Sequence, residues 1–197
     1  MSKRTITGAD LRIEVDSSTP LPYRPSSFQD YAGTVAPNGL PFTVDTLSLV
    51  SQTTYLARFV LKEPLDATGM SVAVVASSGG LVADFAVLDA SYNRLVEVGQ
   101  VIGDVPNSVW RGAFPSAYTL APDTPYYAAF AATFSGSPTV ASAKWPTSAA
   151  LFGSAKPLML SKASTYPIPG QVSSPTAAAN VPLLGIDQSL AGSGQIT

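Results

Sequence analysis

The chain has no cysteine and no histidine. These absences exclude disulfides, thiolate nucleophiles, imidazole bases and zinc sites built from the usual ligands. Charge is scarce as well. Only 12% of residues are charged and the formal net charge is −2, too little clustered Lys and Arg to grip nucleic acid or an anionic membrane. The one basic cluster, Lys3-Arg4, reads as a solubilising end. No stretch approaches the roughly 18 consecutive apolar residues of a membrane span. The opening MSKRTITGADLRIEVD starts positive but has no apolar core segment, so no secretory signal is expected. Helical periodicity and internal repeats are also missing. The chain is expected to work where it is made, or in an assembly built there.

What is present is strand patterning. Hydrophobic residues fill 46% of the 197 positions, enough for a real core in one compact domain plus extensions or in one large all-β domain. Composition divides the chain in three. Residues 1–45 carry Pro20, Pro22, Pro25, Pro37 and Pro41 and read as an extended N-terminal arm, with one short strand at LRIEV (11–15). Residues 46–145 hold period-2 runs. TYLARFVLK (54–62) sets Tyr55, Ala57, Phe59 and Leu61 on one face and Thr54, Arg58 and Lys62 on a face expected to be wet. LVADFAVLD (81–89) groups Leu81, Ala83, Phe85 and Val87. EPLDATG (63–69), the stretch 77–80 and ASYNR (90–94) read as connectors, with Asn93 suited to the left-handed region. Strands and turns at regular spacing predict an antiparallel, jelly-roll-like β-sandwich.

Residues 146–197 differ again. Pro146, Pro157, Pro167, Pro169, Pro175 and Pro182 recur beside ALFG (150–153), LML (158–160) and VPLLGI (181–186). This is too apolar for a disordered tail. It reads as an extended, proline-rich C-terminal segment that packs on neighbours.

TPYYAAFAATF (124–134) poses a sharper question. Tyr126, Ala128, Phe130, Ala132 and Phe134 share one face and suit a sandwich core. Tyr127, Ala129, Ala131 and Thr133 share the other. An apolar face left in water would be a patch that soluble monomers avoid. It can be covered by the proline-rich tail of the same chain or by a second subunit. Low charge and an apolar tail favour contact with other copies. Tyr127, Ala129 and Ala131 are therefore the candidate subunit interface, and a homo-oligomer of three is the expected state.

The middle of the chain resembles the jelly-roll modules of structural proteins from tailed bacteriophage virions, of the capsid-decoration, head-fibre or minor-tail type. ARFVLKEPLDATGMSVAV (57–74) looks like their strand–turn–strand opening, and ADFAVLDASYNRLVEVG (83–99) like their strand, Asp-led turn and next strand. YTLAPDTPYYAAFA (118–131) looks like the entry to a late strand with its Tyr pair. The likeness covers about half the chain. The glycine usual in the Asp-led turn is replaced, with Asn93 standing near it. The resemblance implies a structural or adhesive role in the virion and brings no catalytic residues with it.

The residues themselves supply little reaction chemistry. Without histidine, a serine nucleophile would need a buried lysine, and Lys144, Lys156 and Lys162 lie in loop-like sequence. Asp84 and Asp89 could be read as a glycosidase pair, but scattered acids give such coincidences. Asp66, Asp89 and Asp104 read as turn formers rather than calcium ligands, because none sits in an alternating Asp run. No catalytic, cofactor or metal site is assigned. The expected function is a non-enzymatic virion protein that decorates the capsid or forms a head appendage, its partners being further copies and a major capsid or other virion protein. The alternative is a tail-tip carbohydrate-binding module for a host surface glycan, with Tyr92, Asn93, Trp110 and Arg111 as contacts. Trp110 sits in a strand-like run where a core role is favoured.

Overall fold

The computed structural model describes residues 3–8, 11–16, 43–61, 63–77, 80–102, 107–144 and 159–188. Most of the arm (17–42), Lys62, Asp104, Lys156, ALFG (150–153) and the last residues (189–197) lie outside this set. The described chain is all strand and turn, arranged as two antiparallel sheets in a β-sandwich, with a separate hairpin near the N-terminus.

That hairpin pairs β1 (Lys3–Gly8) with β2 (Leu11–Asp16). The front sheet has the order β13-β12-β4-β10-β6-β7, and β8 also pairs with β6. Its centre is β4 (Thr53–Val60), β10 (Pro125–Thr133) and β6 (Val82–Leu88). β7 (Arg94–Glu97) and β8 (Val101–Ile102) lie at one edge. β12 (Met159–Lys162) and β13 (Thr176–Ala177) lie at the other. The back sheet is built on β5 (Leu65–Ala76), which pairs with β9 (Ser108–Leu120) on one side. β11 (Thr139–Lys144) pairs along its whole length with β3 (Thr43–Ser48).

The core lies between the sheets, where the alternation in the sequence places it. Tyr55, Ala57, Phe59 and Leu61 of β4 and its exit, Leu81, Ala83, Phe85 and Val87 around β6, and Tyr126, Ala128, Phe130 and Ala132 of β10 share one buried cluster. Cross-strand register turns these rows into ring pairs. Phe59 stands opposite Tyr126 with centroids 5.7 Å apart, and Phe85 opposite Phe130 at 5.3 Å. Tilted pairs of this kind contribute about 0.5–1.5 kcal/mol beyond the area they bury.

Two local expectations change. EPLDATG is not a turn, because Leu65–Gly69 opens the 12-residue β5. The irregular residues are absorbed by a bulge, where pairing jumps from Ala67↔Tyr118 to Gly69↔Ala113. Pro115 falls in the unpaired stretch 114–117 of β9, where its missing N–H costs no ladder bond. Gly69 is needed there: a Cβ would run into the carbonyl oxygen of Gly112. In ASYNR the residue with positive φ is Tyr92 (66°), not Asn93.

The largest correction concerns domain limits. Residue 145 does not end the sandwich, because residues 159–188 supply strands to both sheets. β5 and β11 pair only at Ala76↔Thr139 and Val74↔Val140, then part. β14 (Asn180–Pro182) runs along β11 within that fork, and β15 (Leu184–Gln188) runs along β5. Leu183, at the bend between them, donates its N–H to Ala141. Val181, Leu184 and Ile186 go into the core. In this structure of one chain the segment packs on its own body, where its composition suggested packing on neighbours.

Burial sets the expected mutational response. Phe59→Ala, Phe85→Ala and Phe130→Ala should each lower unfolding free energy by about 3–5 kcal/mol in chemical denaturation. Val109→Ala, at a side chain 56% exposed, should change it by less than about 0.5 kcal/mol.

Candidate functional site: a strap over the outer face

The outer face of the front sheet is not wet. Leu56, Ala86, Leu88, Tyr127, Ala129 and Ala131 form a second buried cluster there. The cover is the loop between β12 and β13, residues 163–175, whose Ile168 and Val172 complete the cluster with Tyr92 and Tyr166 packed beside it. The sequence runs this way because β12 ends at a turn with Ser164 in the left-handed region. Pro167, Pro169 and Gly170 then keep the chain from forming a ladder of its own.

Polar bonds pin the strap at three places. At its start, Thr165 N donates to the Gln52 carbonyl at 2.8 Å, and Thr54 Oγ1 donates to the Thr165 carbonyl at 2.7 Å. In the middle, Ile168 N donates to Asp84 Oδ2 at 2.9 Å while Arg94 Nη1 donates to the Ile168 carbonyl at 2.6 Å. At the far end, Arg94 N donates to the Gly170 carbonyl and Val172 N to the Tyr92 carbonyl, around a bridge between Asn93 and Gln171. The strap thus crosses from β4 over β10 and β6 to β7 and returns to pair as β13.

Asp84 is the chemical oddity of this layer. It is fully buried opposite Ala131, with Oδ2 bonded to Ile168 and Oδ1 without a hydrogen-bond partner. Burial raises its pKa above the usual carboxylate range; the bond from Ile168 and the charge of Arg94 oppose this, and Glu97 adds to it. Arg94 is itself shared with Glu97 in an ion pair. The Tyr166 hydroxyl is buried without a partner, and its pKa is raised by burial and by the nearby Asp84. Burial likewise raises the Tyr127 hydroxyl.

The residues singled out in the sequence are placed as follows. Tyr127, Ala129 and Ala131, the candidate subunit interface, are completely buried under the strap, so in this arrangement they meet the same chain and not a second one. Tyr92 packs its ring on Tyr127, centroids 5.0 Å apart. Asn93 donates Nδ2 to Asp89 Oδ2. Trp110 is 6% exposed and belongs to the inter-sheet core, while Arg111, its neighbour on β9, points out of the back sheet. The four candidate glycan contacts are therefore not brought onto one platform. Asp89 is a turn former: Oδ1 accepts from Ser91 N and Asn93 N. Asp66 accepts from Thr119 Oγ1 across the β5–β9 ladder. Among the described residues no three acidic side chains gather to hold a metal. Sequence reading missed Asp84 as the strap anchor. Its one signal was a lone acid on an otherwise apolar outer row, Asp84, Ala86, Leu88.

The raised pKa fixes the sign of a pH effect. Protonated Asp84 is the form burial favours. Its contribution to stability is complete below the ordinary carboxylate pKa of about 3.9 and is lost as pH rises through the raised folded value. Asp84→Asn keeps an acceptor for Ile168 N and removes the charge. The variant should gain stability over wild type from pH 4 to pH 8, measured as denaturation midpoints. A gap that stays constant or shrinks over that range would show that the carboxylate is not uncompensated.

No family model matches the chain, and no curated protein is detectably similar to it in sequence.

Proposed function

We propose that this chain is a non-enzymatic structural protein of a tailed bacteriophage virion, a capsid-decoration or head-appendage subunit that self-associates as a trimer and docks on the particle. The resemblance of residues 57–131 motivates the virion role. The structural observation that supports assembly over chemistry is the outer face of the back sheet. There Ala73 pairs with Val109, Ser71 with Arg111 and Gly69 with Ala113, and Val75 and Val109 are 38% and 56% exposed. The face is rich in small and apolar residues, with Arg111, Asp187 and Asp66 as its charges, a surface suited to close approach by another copy. Asp89 and Asp66, two of the acids singled out in the sequence, are engaged in a turn and a ladder, and Asp84 holds the strap. A glycan-binding reading has less support, because Trp110 faces the core and cannot stack on a sugar.

Light scattering on the purified protein should report three copies, and electron microscopy of purified particles should place it on the head. A stable monomer at micromolar concentration removes the self-association, and a location at the tail tip moves the role to attachment.

A further inference from the structure

The chain divides into two complementary parts that meet almost wholly through strand edges and apolar faces. Residues 43–144 form a body with two deficits. In the back sheet, β5 and β11 part and leave a fork of unpaired edges. In the front sheet, β4 has a free edge beyond β10, and Tyr127, Ala129 and Ala131 lack a cover. Residues 159–188 fill each deficit. β12 pairs β4, the strap covers β10, and β14 and β15 occupy the fork. Buried open edges would leave N–H and C=O groups without partners, so the body needs this segment to be a closed fold.

Fourteen residues, 145–158, connect the end of β11 to the start of β12. Fully extended, such a stretch spans up to about 50 Å. Every pairing the segment makes with its own body can be made with the body of a second copy. The cost is then only that of association and of the connection's entropy. Association through the back-sheet face, as proposed above, would raise the segment's local concentration at a neighbouring fork.

We propose that residues 159–188 are exchanged between copies of this chain in the oligomer, each copy's segment closing the fork and covering the strapped face of the next in a ring of three. This rests on the self-association proposed above and names how it is achieved. The occupant of the β5–β11 fork is a second copy's C-terminal strand. In that state the partner contributes Asp84's bond donor, Ile168, as well as Leu184 and Ile186 of the core.

The absence of cysteine makes a clean test available. Ser71 and Gly185 are opposed across β5 and β15 on the outer face. A Cβ added at Gly185 would stand 3.8 Å from the Ser71 Cβ, the mean separation of a disulfide. The full-length double variant Ser71→Cys, Gly185→Cys is oxidised and run on a non-reducing denaturing gel, with light scattering on the same sample before denaturation. Exchange predicts that most of the protein migrates as a covalent trimer. It also predicts that a co-expressed mixture of the two single variants yields covalent dimers. A covalent monomer from a sample that scatters as an oligomer overturns the exchange and leaves the assembly reading standing. A covalent monomer from a sample that scatters as a monomer overturns both. Thiols left free after oxidation would show that β15 is not seated on β5 in either copy, and would overturn the exchange as well.

Discussion

β10 has no polar face. Tyr126, Ala128 and Phe130 point into the space between the sheets, and Tyr127, Ala129 and Ala131 point the opposite way. Two sheets suffice to bury one face of each, so a strand apolar on both sides requires a third layer. Residues 163–175 are that layer. The requirement spreads outward from β10. Its neighbours β4 and β6 must also be dry on the outside, which is why Leu56, Thr54, Ala86 and Leu88 are buried where a two-layer sandwich would place polar groups. The strap in turn must satisfy its own backbone over an apolar surface. It does so with bonds from Gln52 and Thr54 at the start of β4 on one side and from Tyr92 and Arg94 by β7 on the other, and with one buried carboxylate between them.

That carboxylate is a specificity device more than a stabilising one. A methyl group at position 84 would fit the apolar layer as well, and a buried charge with one unpaired oxygen is expensive. What Asp84 supplies is register. Ile168 N donates to Oδ2, and Arg94 holds the carbonyl of the same residue, so the strap is fixed at that point along its length. The bonds at either end of the strap fix its entry and exit, and the carboxylate adds a fixed point in the middle. Fixing Ile168 also fixes where Tyr166 and Val172 fall, and with them the closure of the second cluster.

The sandwich and the phase of its core strands could be read from the sequence because both depend on period-2 alternation, which is local. Tyr55, Phe59, Phe85 and Phe130 face inward as their spacing requires. The apolar outer row of β10 was equally visible, and so was the need for a cover. The choice of cover was not visible. It depends on where a loop more than 30 residues away returns, and proline-rich sequence encodes extension without direction. The extent of β5 was hidden for a related reason. Asp66, Thr68 and Gly69 are turn formers, but a bulge can hold them inside a long strand when a partner, here β9, bulges opposite. Trp110 and Arg111 illustrate the limit of reading exposure from residue type, since adjacent positions on one strand fall on opposite faces. The anchor role of Asp84 could not be read at all, because its donor is 84 positions away.

Placing the closing segment last in the chain has a consequence for how the fold completes. β5 and β11 are made long before β15, and β10 before the strap. Until residues 159–188 arrive, the body carries a fork of unpaired edges and an uncovered apolar strand, the two features that most invite pairing with another chain. Contacts between Thr54 and Thr165, or Ser71 and Asp187, join positions more than a hundred residues apart, and such closures are slow. Thus the topology makes the chain slow to seal, and one late segment closes both the fork of the back sheet and the uncovered face of β10.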